Sequence, residues 1–395
     1  VIGAADLAAR LDALRPIGFD ADRGTTRLAW TDEDAAAGAW FAAQAAAGGL
    51  EVSRDAAGNR WATPPGDGPW WAVGSHTDSV RDGGMYDGAL GVAAAFAIAA
   101  AASVPLAVIS FADEEGARFN TPTFGSRALT GILDVEDVLA RRDDDGVSLA
   151  DAMGAAGVDP AGLAGAPRAL ERLRGFAELH IDQSLDVVGA GAPAGIVTGL
   201  ASRLRARVTL TGTSDHAGTT PPDQRRDALL AAARLVVAAD DLRAASPSPL
   251  RSTAGRILVA PNALTSIASE VRLWLDARAA DPEALDWWLA GVEARAGELA
   301  AATGVEIAVA VESRGAGVTF DAGLRAALRA VAPSAVPDVL CWAGHDAGVL
   351  AARVPAAMVL VRNATGVSHS PAEHVELEDA AAGATLLLRA LQELA

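Results

Sequence analysis

The segment "ALGVAAAFAIAAAASVPLAVISFA", Ala89 to Ala112, runs for 24 residues without a charged side chain. A helical bilayer span needs about 20 apolar residues, so length alone would permit one. Ser103 and Pro105 divide the run, however. Its first part is Ala-rich and helix-like, whereas "PLAVISFA" is short and β-branched, as in a strand buried on both faces. We read a buried helix followed by a buried strand, and no membrane span.

Around this run, short apolar strands alternate with helical stretches from about Trp40 to Ile181. "WWAVGSH" ends in His76, "PLAVISFADEE" ends in Glu115, and "FAELHID" contains His180. The alternation predicts an α/β fold with a mixed sheet and helices on both faces. Ligands and chemistry in such sheets gather where strands give way to loops. From Ser202 the pattern changes to "RLRARVTLTG", then a helix "PDQRRDALLAAARLVVAADDLR" with Pro near its start, then "STAGRILVA" and "SEVRLWLDAR" as strands. A helix "PEALDWWLAGVEARAGELAAA" and a strand "VEIAVAVES" follow. That order, β-α-β-β-α-β, is the ferredoxin-like unit. The expected organisation is a discontinuous catalytic domain, residues 1–201 and 314–395, with residues 202–313 inserted as a lid and dimerisation domain.

At 395 residues, two domains are also what chain length suggests. The formal net charge of −18 argues against nucleic acid as a partner, since phosphates recruit clustered cations. The single cysteine, Cys341, excludes an internal disulfide and fits a reducing, cytoplasmic setting. We read it as a small buried hydrophobe. The opening "VIGAADLAARLDALRP" carries acids and no long apolar core, unlike a signal peptide.

The chain has six histidines. His76, His180 and His369 lie in or just after expected strands, and Asp87, Glu114 and Glu115 occupy similar places. Taken singly, a histidine near a strand end is more often a satisfied structural residue, and paired acids such as Glu114-Glu115 are usually a solvated turn. The combination is more telling: "HTD", "YDG" and "DEEG" fall within forty residues, with "ELHID" and "SHSP" further on. Imidazole nitrogen with carboxylate oxygen suits zinc-like divalent ions. A site for two ions needs a carboxylate that bridges them.

The strings "GSHTDSV", "GGMYDGALGV", "FADEEGARF", "FGSRALTG", "ELHIDQS", "DHAGTTP", "RRDAL", "GHDA" and "SHSPAE" run in order through most of the chain. The set resembles the hydantoinase/carbamoylase amidase family, within the wider aminoacylase-like clan of dinuclear metallopeptidases. The resemblance implies two divalent ions per subunit, zinc foremost, with manganese, cobalt or nickel as other candidates. It assigns His76, Asp87 and His180 to one ion and Asp87, Glu115 and His369 to the other, so that Asp87 bridges. Glu114 would be the general base, and Asp78 would accept the other N–H of His76 and fix its ring. His216 would steady the oxyanion across a homodimer interface, Arg278 would grip the substrate carboxylate, and His345, Asn262, Thr265 and Arg203 would line the substrate pocket. His374 matches no ligand and is expected on the surface.

Three places depart from the family pattern. "TSIASEV" replaces the usual "NVIPGEV", which puts Thr265 where an Asn contacts substrate. Arg203 stands where several members carry Gln, and "IDQS" replaces "IEQG". Trp342 beside "AGHDA" could add an aromatic wall. The activity implied is hydrolysis of the C–N bond of an N-carbamoyl L-amino acid. Allantoate, or the ordinary amide of an aminoacylase or dipeptidase substrate, is the alternative. A non-catalytic binding protein on the same fold would be expected to have lost Glu114 or one of the ligands, and all are present.

Overall fold

The computed structural model describes residues 1–394. The chain divides into two compact units, Val1–Gly199 with Thr319–Ala395, and Leu200–Val318.

The first unit is built on a mixed sheet. At its centre, strands Ala356–Val361, Leu173–Ile181, Trp70–His76 and Leu106–Phe111 lie side by side in that order, all parallel. Arg60–Thr63 and Glu51–Arg54 extend the sheet antiparallel beyond Leu106–Phe111, and Ala194–Leu200 pairs antiparallel with Ala356–Val361. Because the central strands are parallel, their carboxyl ends share one edge. His76 ends one strand, Asp113 to Glu115 follow another, His180 is next to last in a third, and the loop to His369 follows the fourth.

The uncharged run behaves as its composition demands. Helix Ala89–Ala101 is buried at every residue from Ala89 to Ile98, and strand Leu106–Phe111 is buried throughout. A helix apolar on all faces has to be enclosed by protein. Phe96 packs edge-on against Phe41 and Trp40, with ring centroids 4.9 and 6.0 Å away. Burying one such side chain contributes about 1.5–3 kcal/mol. Among the described residues, no helix is long and apolar enough to cross a membrane.

The second unit has a four-stranded antiparallel sheet, in spatial order Leu250–Ala260, Glu270–Ala279, Ser202–Thr211 and Glu306–Gly315. Helices Ala228–Ala244 and Pro282–Thr303 pack on one face. Strand Ser202–Thr211 alternates strictly: Leu204, Ala206, Val208 and Leu210 are buried, while Arg203, Arg205 and Arg207 turn the other way. The first helix begins later than the sequence suggests. Pro222–Gln224 forms a separate 3₁₀ turn, and the helix starts after Asp227, whose carboxylate accepts the N–H groups of Leu229 and Leu230 at 3.0 Å each. An Asp satisfying two otherwise orphaned donors is a stronger start signal than the upstream proline.

Candidate metal centre

Asp87 is the hub of the first unit's site. Its Oδ1 lies 3.0 Å from His180 Nε2 and 3.4 Å from His76 Nε2. Its Oδ2 lies 3.7 Å from His369 Nε2, which in turn is 3.4 Å from Glu115 Oε2. Two ligand groups therefore share one carboxylate: His76, Asp87 and His180, and Asp87, Glu115 and His369. Each has its donor atoms within 4.8 Å of one another.

Local geometry prepares the rings. His76 Nδ1 donates to the main-chain oxygen of Asp78 at 3.0 Å, and His180 Nδ1 donates to that of Ile181 at 2.9 Å. A carbonyl can only accept, so Nδ1 carries hydrogen in both rings and Nε2 is left to face Asp87. Both Nε2 atoms are buried without a hydrogen-bond partner among the described residues, and so is Glu115 Oε1. Orphaned donor atoms of this kind, converging on a shared carboxylate, fit a divalent cation with mixed nitrogen and oxygen ligands. Gly88 makes the arrangement possible. Its φ is +63°, and a Cβ there would collide with the His76 ring.

Asp78 meets the other N–H of His76, but through its main-chain oxygen and not its carboxylate. Its carboxylate stands 3.7 Å from His76 Nδ1, too far for a hydrogen bond, and the main-chain oxygen orients the ring instead. The carboxylate is taken up by the main-chain N–H groups of Glu114 and Glu115, at 3.2 and 3.1 Å. Asp78 thus positions the two glutamates, with their N–H groups as the nearer donors.

Glu114 is buried, and its Oε2 lies 3.7 Å from His76 Nε2. Burial pushes its pKa well above the ordinary carboxylate range, and Asp346, Glu115 and Asp78 add to this against the pull of His76. Burial, followed by the charge of Asp87, raises Glu115 to about 8. At His180 burial works against the charged ring, but Asp87 outweighs it and the pKa rises to about 9. His76 is likewise raised against burial, chiefly by Glu114 and Asp87, and those histidines hold Asp87 well below the usual range despite its burial. One fully buried cation, Arg27, shares this region and is lowered to about 10 by burial, with Asp78 and Asp34 opposing. Ionising these buried carboxylates together would require compensating positive charge, which a bound cation would supply.

His345 is buried with its ring centroid 4.2 Å from that of His180, and burial followed by His180 lowers its pKa well below the ordinary value. It belongs to a third close group with Glu178 and His180. His374 is exposed, as expected.

The second unit carries the remaining candidates. His216 is exposed, and its Nδ1 accepts the N–H groups of Gly218 and Thr219 at 3.0 and 3.2 Å. The ring hydrogen is therefore on Nε2. The exposed Thr265 sits beside it, its main-chain oxygen accepting from Ala217 N at 2.9 Å. Asn262 is exposed on the same connection between strands. Arg278 pairs in register with Arg203 on one side and Arg251 on the other, and its Nε donates to Asp276 at 3.2 Å.

Several contributors escaped the sequence reading. Glu178 accepts from Ser75 Oγ at 2.7 Å and from Ala347 N at 2.9 Å, so it ties the residue before His76 to the turn after His345. Its signal was its place two residues before His180, on the same strand face. Gln183 Nε2 and Ser368 Oγ donate to Asp87 Oδ2 at 2.9 and 3.0 Å. Glu373, inside "SHSPAE", accepts from Tyr86 N and Asp87 N, and burial, then Asp87, pushes it up to about 7.

Residues 65–393 match peptidase family M20/M25/M40. An N-carbamoyl-L-amino acid amidohydrolase of Geobacillus stearothermophilus is 36% identical over 333 residues, covering 82% of this chain and 81% of that protein. An allantoate amidohydrolase of Bacillus subtilis is 33% identical, covering 82% and 80%. The crystal structure of an amidase of the hydantoinase/carbamoylase family from Burkholderia multivorans superposes with a TM-score of 0.89 at 30% identity, covering 99% of this chain and 98% of that one. With a shared carboxylate between two sets of candidate nitrogen and oxygen ligands, and relatives that cover 82% of it by sequence and 99% by structure, the chain belongs to peptidase family M20/M25/M40 and, within it, to the hydantoinase/carbamoylase amidases.

Proposed function

We propose that the chain is a metal-dependent amidohydrolase that cleaves a C–N bond of N-carbamoyl L-amino acids. The observation that carries the reading is the pairing of adjacent glutamates: Glu115 joins a ligand group, while Glu114 is buried beside the ligand histidine His76 and belongs to none of the three ligand groups. Two divalent ions, zinc foremost and manganese, cobalt or nickel as substitutes, would be held by His76, Asp87 and His180 and by Asp87, Glu115 and His369. Bound there, such ions lower the pKa of water and polarise an amide carbonyl.

The chain's own residues do the rest. Glu114 takes the proton of the attacking water and delivers it to the leaving nitrogen as the C–N bond breaks. Burial shifts its pKa upward from the ordinary carboxylate range, which makes the ionised carboxylate a stronger base. Arg278, with a planar guanidinium, takes the substrate carboxylate, and Arg203, Asn262 and Thr265 lie on the same unit to shape specificity. His216 offers an Nε2–H to the oxyanion, and His345, held neutral, lines the pocket. The inserted unit is read as a ferredoxin-like lid and homodimerisation domain, supported by its strand order. The buried single Cys341 supports a cytoplasmic setting. The Bacillus subtilis relative supports a second reading, allantoate as substrate.

The test is a substrate panel on zinc- and manganese-loaded protein: N-carbamoyl L-amino acids, allantoate, N-acyl amino acids and dipeptides. N-carbamoyl L-amino acids are expected to give the highest kcat/KM. A preference for N-acyl substrates or dipeptides would overturn the reading, and a preference for allantoate would move it to the second one.

A further inference from the structure

We infer that Glu373 is a positioning residue: it locks the Asp87 loop to the His369 loop by accepting the main-chain N–H groups of Tyr86 and Asp87. The inference rests on the proposed ligand roles of Asp87 and His369.

The loop that presents Asp87 has little stiffness of its own, since Gly83, Gly84 and Gly88 surround it. What holds it lies elsewhere in the chain. One oxygen of Glu373, Oε2, accepts from Tyr86 N at 3.0 Å and from Asp87 N at 3.1 Å, across 287 and 286 residues of sequence. Gly84 lets this acceptor approach, because a Cβ there would collide with the Glu373 carboxylate. A second contact joins the same two loops, the edge-on packing of Tyr86 and His374 with ring centroids 6.2 Å apart.

Glu373 is also costly in a way that a filler residue would not be. It is 4% exposed, and its other oxygen, Oε1, has no hydrogen-bond partner among the described residues. A leucine of similar volume would occupy the space without burying an unpaired polar atom. The acid makes sense if its work is to fix the main chain at Asp87. It follows His369 by four residues, and His369 itself holds φ at +55°, a conformation that neighbouring contacts must enforce. One short segment thus delivers a candidate ligand and anchors the loop of the bridging one.

The experiment compares the wild-type chain with E373L, E373Q and G84A. Zinc affinity is measured by competition with a chelator, exchange of the Tyr86 and Asp87 amides by hydrogen–deuterium exchange of metal-free protein, and Tm of the metal-free forms. Removing a partner of a metal ligand typically weakens binding about 10–100-fold. E373L is expected to show a loss of that order with faster exchange at both amides. E373Q, which keeps an acceptor oxygen, should recover most of the loss. G84A should mimic E373L with Glu373 still present, and it carries the test if E373L fails to fold. Zinc affinity unchanged in E373L or G84A would overturn the inference, as would a lowered Tm with normal affinity. A wild-type protein that takes up no zinc would overturn the ligand reading as well, which separates the two failures.

Discussion

His180 and His216 present the same ring atom to opposite purposes. In the first unit, Nδ1 of His180 gives its hydrogen to a main-chain oxygen, so Nε2 is the nitrogen left for a cation once its own proton is displaced; His76 does likewise. In the second unit, Nδ1 of His216 accepts two main-chain N–H groups, so Nε2 carries the hydrogen. The first pair is buried at the ends of parallel strands, and His216 is exposed in a loop. The difference teaches that the backbone, by offering either carbonyls or N–H groups to one nitrogen, decides whether the other is a ligand or a donor. Burial then raises what is at stake, because an orphaned atom in the interior has no water to turn to.

The sharpest way to break this comparison is Glu114→Gln, which removes the proposed proton carrier beside the proposed ligand histidines. Loss of a general base costs about 10²–10⁴ in rate. We expect kcat to fall on that scale while bound zinc, measured by elemental analysis, stays at the wild-type level. Retained turnover would remove Glu114 from its role. His216→Ala tests the other half. Losing an oxyanion donor costs about 10²–10³ in kcat, and the zinc content should again be unchanged. A variant that lost zinc instead would make His216 a ligand and collapse the contrast between the two units.

The last test is a slope with pH. His180 is raised to about 9 and Glu115 to about 8, both above their ordinary values. A cation must displace the proton from each, so zinc affinity should climb with pH toward 8–9, by roughly tenfold per unit for each proton released. The stability of metal-free protein runs the other way. The raised His180 stabilises fully below about 6.5 and loses that contribution as pH passes 9, whereas Glu115, ionised in the unfolded chain above 4.5 but protonated in the fold to about 8, withdraws stability progressively between those two values. Both groups therefore lower the metal-free Tm as pH rises from 6.5 to about 8, and His180 continues to do so up to about 9. Tm and zinc affinity that moved in the same direction would contradict this.

Much of the architecture could be read before any coordinates. The strict alternation of Ser202–Thr211 and the all-apolar helix and strand between Ala89 and Phe111 follow directly from residue periodicity. The helix beginning after Asp227 was misplaced because a proline five residues earlier also marks a start, and only the cap's hydrogen bonds discriminate. Which acceptor atom of Asp78 meets His76 was illegible for a similar reason: its carboxylate and its carbonyl are both near the ring, and distance alone selects the carbonyl.

By itself the sequence determined which segments are buried, which alternate, and where histidines and acids fall at strand ends, because those properties depend on neighbours a few residues away. Only the tertiary structure decided which oxygen orients His76, which nitrogen of His216 carries hydrogen, and that Glu178 and Glu373 reach Ser75 and Asp87 across 103 and 286 residues. Such partners are selected by the close packing of distant strands and loops, and a chain's local pattern holds no record of them.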